Sequence, residues 1–543
     1  MRKFFSKMNT WSFLALCIIL FLVGPNITII EGLFTPENEN WAHIKEYILA
    51  DFIRASFLLV FFTGILTIVL GTSLAWLIAQ YDFPLRSFYK WALILPLSIP
   101  PFIAAYTYHG ILNYTGVVQT TLRNKLDVKV NAAYFDIMNM PGAIFIYTMV
   151  LFPYVYTIVR VFLSQQSATL IESARMLGKG PFKIFFQVVV PISRAAIVGG
   201  ASLVILEVLN DYGVVKYFGI QTFSTAIFQT WFALGDIDSS LKLAASLMGF
   251  VIIILILEKV LRGRKQFSYA STKIRPLKLV TLRGGKAGFA TFYCTIIFSL
   301  SFLIPVIQLI DWFILTFGHI PFQDFFIYVK NSTIVAAISA TIIIVFALIV
   351  GNFNRLFQGR ITKVLTRLSI LGYSIPGAVI AVAIVTAFIQ LDEWLTPLYV
   401  KLGLDSTLVL SVSLVMLITA YLVRFFAIGF NSIEAGYEKI GTNFRDASRL
   451  LGSGITKTFF KVDVPMMKGA IISGFILVFI DIMKEIPLTL ILRPFNFDTL
   501  ATKAFQYASD EKIMEASQAS LFIIVISAIA IFIFNKLLEK EPS

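Results

Sequence analysis

The chain has 543 residues, of which 58% are hydrophobic and 14% charged, with mean hydropathy +0.83 and a formal net charge of +14. Soluble globular domains are about 25% charged, so the balance excludes a soluble protein and points to an all-α polytopic membrane protein. The three histidines are scattered, Cys17 and Cys294 lie in apolar runs, and neither a P-loop nor a G-x-S-x-G motif is present. No catalytic residue, bound cofactor or fixed metal site is therefore expected.

About 20 apolar residues cross a bilayer as a helix. In chain order, twelve such segments are predicted at 10–29, 55–79, 91–112, 141–163, 193–213, 241–262, 287–313, 332–352, 366–389, 408–430, 468–490 and 518–537. The first follows MRKFFSK but lacks a small-residue cleavage site, and reads as a retained signal-anchor helix. The loop after span six carries Arg262, Arg264, Lys265, Lys273, Arg275, Lys278, Arg283 and Lys286 and no acid. The loop after span one has five acids against one lysine, and the loop after span nine three against one. Cytoplasmic loops collect Lys and Arg, so even-numbered loops and both termini are expected inside. The positive charge then reports topology, and no nucleic-acid partner is expected.

The basic stretch 263–286 also divides the chain into six spans before (1–262) and six after (287–543). Without a gap, Ser173–Gly200 and Ala447–Gly474 are identical at 13 of 28 positions, among them Gly178/Gly452, Gly180/Gly454 and Pro191/Pro465. Continuing that alignment sets Glu207 against Asp481, Asp211 against Glu485 and Thr225 against Thr499. Six spans per half make the duplication parallel, a known transporter plan. The shared loops, about 167–191 and 441–465, read as helix, glycine stop, second helix, with Pro191 and Pro465 at the exits. Repetition concentrated in a polar loop suggests a partner surface met twice.

At these residues the sequence resembles the permeases of ATP-binding-cassette importers, whose loop reads E-A-A-x3-G-x9-I-x-L-P. The first copy supplies Glu172, Ser173, Ala174, Gly178, Val188, Val190 and Pro191, and the second Asp446, Ala447, Ser448, Gly452, Val462, Val464 and Pro465. Serines replace two alanines, Asp446 replaces a glutamate and valines replace Ile and Leu, while both glycines stay. The resemblance implies two fused permease domains whose coupling helices seat in a homodimer of cytoplasmic ATPase subunits. Glu172, Ala174, Gly178, Pro191, Asp446, Ala447, Gly452 and Pro465 are then the docking residues, and ATP and Mg belong to the partner. It further implies a bacterial inner-membrane location and a periplasmic or lipid-anchored binding protein that delivers the solute. Leu209–Phe232 and Lys484–Glu511 are most similar to ferric-iron permeases; thiamine or another small solute is the alternative, and an ion-coupled secondary transporter the runner-up from another class.

Ionisable groups inside spans cost about 2.5–3.5 kcal/mol each and usually face a cavity or a partner. Glu207, Asp211, Asp481, Lys484 and Glu485 fall in or at the ends of spans five and eleven. They are expected either to line a path for a hard cation such as Fe(III) or to join the two spans. Asp481 and Lys484, three apart, could pair on one helix face. Pro96, Pro100, Pro101 and Pro376 are expected to break spans three and nine, as a gate or as packing.

Overall fold

The computed structural model describes residues 10–32, 34–128, 131–165, 169–262, 279–318, 321–357, 359–403, 408–440 and 443–540. Most of the basic linker (263–278) and the loop ends 167–168 and 441–442 lie outside the described residues. The described chain is almost entirely helical, because backbone in lipid must satisfy its N–H and C=O groups within the segment. Tyr81–Asp82 and Val280–Thr281 form a short parallel strand pair that fastens the end of the linker beside the loop after span two.

Among the described residues eight helices are long and apolar enough to cross a membrane, and three bent pairs raise the number to as many as eleven. The first segment, Thr10–Gly32, is an apolar helix with Pro25 inside it. Several expected boundaries are corrected. Span three is not continuous over 91–112: Arg86–Ser98 and Pro101–Leu126 meet at 93°. Span nine begins at Gly377, not at 366, after a separate helix Arg360–Ser369 and a tight turn Leu371–Ser374. The cause is shared, since Pro100–Pro101 and Pro376 withhold donors and push the preceding residue out of helical geometry. Spans five and eleven end early, at Asn210 and Met483, because short helices start at Gly213 and Pro487.

The halves repeat in three dimensions. Spans two, four and five (Leu49–Gln80, Met140–Gln165, Arg194–Asn210) pack together as do spans eight, ten and eleven (Phe322–Leu356, Leu414–Ile440, Lys468–Met483). Close approach explains part of this: a Cβ on Gly71 or on Gly200 would lie 2.7 or 2.8 Å from Val155 of span four. Small residues let membrane helices pack backbone to backbone. Each half's first helix crosses to the other half. Thr10–Gly32 lies on spans eight and nine, and span seven, Gly285–Leu315, lies on the Pro101–Leu112 helix of span three. Hydroxyl pairs also tie span seven to span two and to the Arg86–Ala92 helix, Ser73 with Tyr293 at 2.8 Å and Tyr89 with Thr295 at 2.6 Å.

The repeat register shifts along the chain. Ser56 and Ser332 accept the first amide of the helices Phe223–Phe232 and Leu500–Ser509, and Thr222/Thr225 and Thr499/Thr502 form matching capping boxes. Thr499 therefore corresponds to Thr222, which corrects the ungapped pairing with Thr225. The second half holds three extra residues between Glu485 and Thr499.

Candidate functional site: a charged cavity between the halves and two coupling loops

A cavity of about 110 Å³ lies where the two broken segments meet the ends of spans five and eleven. Glu207, Asp211, Asp481, Lys484 and Glu485 all line it. So do Tyr154, Asn210, Tyr373 and Arg424, which the sequence reading did not assign to it. Arg424 carried a usable signal, a charge in the middle of span ten; Tyr373 and Asn210 carried none.

The carboxylates divide into two kinds. Asp211 accepts the Val214 amide at 2.8 Å and the Tyr147 hydroxyl at 2.7 Å. Glu485 accepts the Leu488 amide at 3.1 Å and stands 3.6 Å from Arg424 Nε. These duplicated positions each cap the short helix that follows, satisfying amides that a helix start leaves open. Glu207 and Asp481 lie one turn earlier and are not consumed in this way. Glu207 accepts the Tyr373 hydroxyl across the interface between halves at 3.4 Å.

Two cations hold the broken backbone. Lys484 donates to the Leu97 carbonyl at 2.7 Å instead of closing an ion pair with Asp481, which corrects the expected i,i+3 pair. Arg424 donates to the Ile375 carbonyl at 2.8 Å and to Asn210 Oδ1 at 3.4 Å. Non-helical backbone at membrane depth is tolerated where protein groups or a cavity satisfy it, and here basic side chains do so at both breaks. Four carboxyl groups and two cations leave the cavity a formal excess of two negative charges. Among the described residues no three His, Cys, Asp or Glu side chains converge tightly enough to hold a metal ion.

The coupling loops share one geometry. Helices Thr169–Met176 and Asn443–Leu450 end in Gly178 (φ +73°) and Gly452 (φ +80°). Lys179 N–H bonds Ala174 O and Gly178 N–H bonds Arg175 O, and Ser453 and Gly452 repeat this on Ser448 and Arg449. These are Schellman caps, whose left-handed residue favours glycine. Helices Pro181–Ile192 and Ile455–Met466 follow, each bent 73° from the next span. Pro191 and Pro465 lie inside these helices, not at their exits, and the bends come at Ser193 and Met467. A widened π turn precedes each proline, Phe185–Val189 and Phe459–Asp463, and makes room for a ring that would collide with a regular turn. Ala174 is buried; Pro191, Asp446, Ala447 and Pro465 are exposed, and Glu172 is half-buried. Beside them Met176, Leu177, Phe182, Leu450, Leu451 and Phe460 stand open. Exposed apolar clusters of this kind mark docking surfaces.

The same duplicated pattern is matched by the model of the binding-protein-dependent transport system inner membrane component, at residues 67–262 and again at 343–542. The chain belongs to that family. It is similar to the Fe(3+)-transport system permease protein FbpB 2 of Haemophilus influenzae, 28% identical over 90% of each chain. The ferric transport system permease protein FbpB of Actinobacillus pleuropneumoniae is 22% identical over 95% of this chain and 76% of its own. The sulfate transport system permease protein CysT of Escherichia coli matches 38% of this chain at 27% identity, covering 72% of its own length. As an importer permease of this family, the chain is a multi-pass membrane protein and a transport subunit, with a solute-binding protein implied by the family itself.

Proposed function

We propose that this chain is the transmembrane permease subunit of an ATP-driven importer of ferric iron, two permease domains fused in one polypeptide that move the solute by alternating access. The observation that carries the reading is the cavity at the two breaks, where Glu207 and Asp481 present oxygen donors suited to a hard trivalent ion. The full-length likeness to ferric permeases supports the same solute. Because the carboxylates are spread along the wall, iron passes by transient contacts, and the fixed cations keep the breaks formed between passages.

In this reading Gly178 and Gly452 shape two sockets, one for each subunit of an ATPase homodimer, and ATP with Mg is held there and not in this chain. Motor closure pulls the coupling helices, and the 73° bends carry that movement into spans five and eleven. A periplasmic or lipid-anchored protein feeds the opposite face, and both termini lie in the cytoplasm of a bacterial cell. A second reading is an importer of another small solute: thiamine is the alternative from the sequence resemblance, and sulfate or molybdate is favoured by Arg424 and Lys484, two cations on the cavity wall. Uptake of labelled ferric iron, sulfate, molybdate and thiamine by cells lacking the chain and by cells regaining it separates these. Only iron uptake is expected to return. Return of another solute alone would keep the architecture and overturn the substrate.

A further inference from the structure

Between span eight and the second break runs the helix Arg360–Ser369. From Phe353 to Tyr373 the sequence has no acid and carries Arg355, Arg360, Lys363 and Arg367. The helix turns Thr362, Thr366 and Ser369 inward, all buried, against the first, eighth and tenth spans. It leaves Ile361, Val364 and Leu368 outside, 43%, 57% and 38% exposed, with Arg360, Lys363 and Arg367 exposed beside them. A helix packed on a protein surface in water would do the reverse and bury its apolar stripe. Apolar residues flanked by Lys and Arg on one open face are what a helix lying in the membrane interface presents, with acyl chains below and phosphates alongside.

The duplicated counterpart shows that this is a property of the second half alone. In Arg86–Ala92 the positions of Thr362 and Thr366 are held by Arg86 and Lys90, 276 residues earlier, as Pro100 is to Pro376. Arg86 Nε donates to the Ile78 carbonyl at 2.9 Å and Lys90 lies 5.1 Å over the Trp91 ring. The first half thus uses its cations within the chain, and the second turns them out. Glu434 of span ten is within electrostatic reach of Arg367; among the described residues no carboxylate pairs with Arg360 or Lys363.

We propose that the Arg360–Ser369 helix is a binding site for anionic phospholipid, with Arg360, Lys363 and Arg367 on the headgroup phosphate and Ile361, Val364 and Leu368 among the acyl chains. The site faces the membrane surface on the coupling-loop side, since Arg355 at the end of span eight pairs with Asp463 of the second coupling helix at 2.6 Å. Only Ile370 separates the helix from the turn that carries Tyr373 into the cavity. Lipid held here therefore steadies one wall of the path.

The test is photolabelling of the full-length chain in bilayer discs of equal parts phosphatidylcholine and phosphatidylglycerol, with a photoactivatable phosphatidylglycerol, a matching phosphatidylcholine probe, and excess inorganic phosphate as competitor. Each cation near an anionic surface contributes about fivefold in affinity. Labelling of the 360–369 peptide by the anionic probe is expected to fall at least tenfold in an Arg360→Gln, Lys363→Gln, Arg367→Gln variant, and to persist in Arg360→Lys, Arg367→Lys. All of these side chains are exposed, so folding is checked by an unchanged melting profile. Equal labelling by phosphatidylcholine, indifference to the triple substitution, or displacement by inorganic phosphate would each overturn the proposal. So would loss of ATPase co-purification with labelling intact, which would make the face a protein dock.

Discussion

At the scale of single residues, Asp211 and Glu485 differ from Glu207 and Asp481 in what they already do. Glu485→Ala removes a cap and leaves Arg424 buried without its carboxylate, a loss of about 3–5 kcal/mol. Asp211→Ala removes a cap and the Tyr147 acceptor, about 1–3 kcal/mol. Thermal unfolding in detergent should therefore place Glu485→Ala below Asp211→Ala, and both below Glu207→Gln. Another carboxylate tests pH. Asp236 accepts Asn38, Asn40 and Ser239 and so docks the loop after span one at the start of span six. Burial pushes its carboxyl up, but the Ser239 backbone and hydroxyl, Asn40 and Asn38 outweigh burial and hold it below its ordinary value. The unfolded group has the higher pKa, so this contribution is full above the ordinary carboxylate range and is lost as pH falls through the lower folded value. Amide exchange over residues 34–43, taken relative to the intrinsic rate at each pH, should stay slow from neutral pH down to that range and then rise. Asp236→Asn should raise it at neutral pH.

At the scale of elements, the proposed function rests on the coupling loops and the broken spans, and they were legible to different degrees. The glycine stop could be read because left-handed backbone has a sequence price only glycine escapes. The π turns could not, since nothing in Phe185–Val189 or Phe459–Asp463 distinguishes a widened turn from a regular one until Pro191 or Pro465 must be fitted. Proline marked the breaks in spans three and nine, yet their exact place followed from Lys484 and Arg424 reaching the Leu97 and Ile375 carbonyls, contacts 387 and 49 residues apart in the chain. No atom lies within 4 Å of a Cβ added at Gly178 or Gly452. Both positions have positive φ, so Gly178→Asp with Gly452→Asp strains the two caps without a clash elsewhere; the variant is expected to insert and keep its spans while losing co-purification of the ATPase. Gly200→Leu is the contrast: it drives a side chain into the Val155 backbone and should cost about 1–3 kcal/mol, seen as lower yield and melting temperature with the sockets intact.

At the scale of the whole molecule, the duplication gives a pair of matching loops and a charged cavity between the halves, which the proposed function reads as sockets and path. Hydropathy marked the apolar membrane segments, because lipid imposes length and apolarity on each one, but it counted twelve where eight to eleven helices among the described residues are long and apolar enough to cross. It was blind to the crossing of span one onto spans eight and nine, since lipid-like faces read alike whatever they pack on. The central claim is that Glu207 and Asp481 form the ferric path while the caps and sockets serve structure and coupling. The most direct measurement is ferric-iron uptake by a Glu207→Gln, Asp481→Asn variant that is fully inserted, melts normally and still binds the ATPase. Uptake is expected to fall more than about tenfold, a loss of roughly 1.4 kcal/mol or more at the limiting step, with ATP hydrolysis retained. Unchanged iron uptake in that variant would contradict the path and leave the cavity as the joint between spans five and eleven.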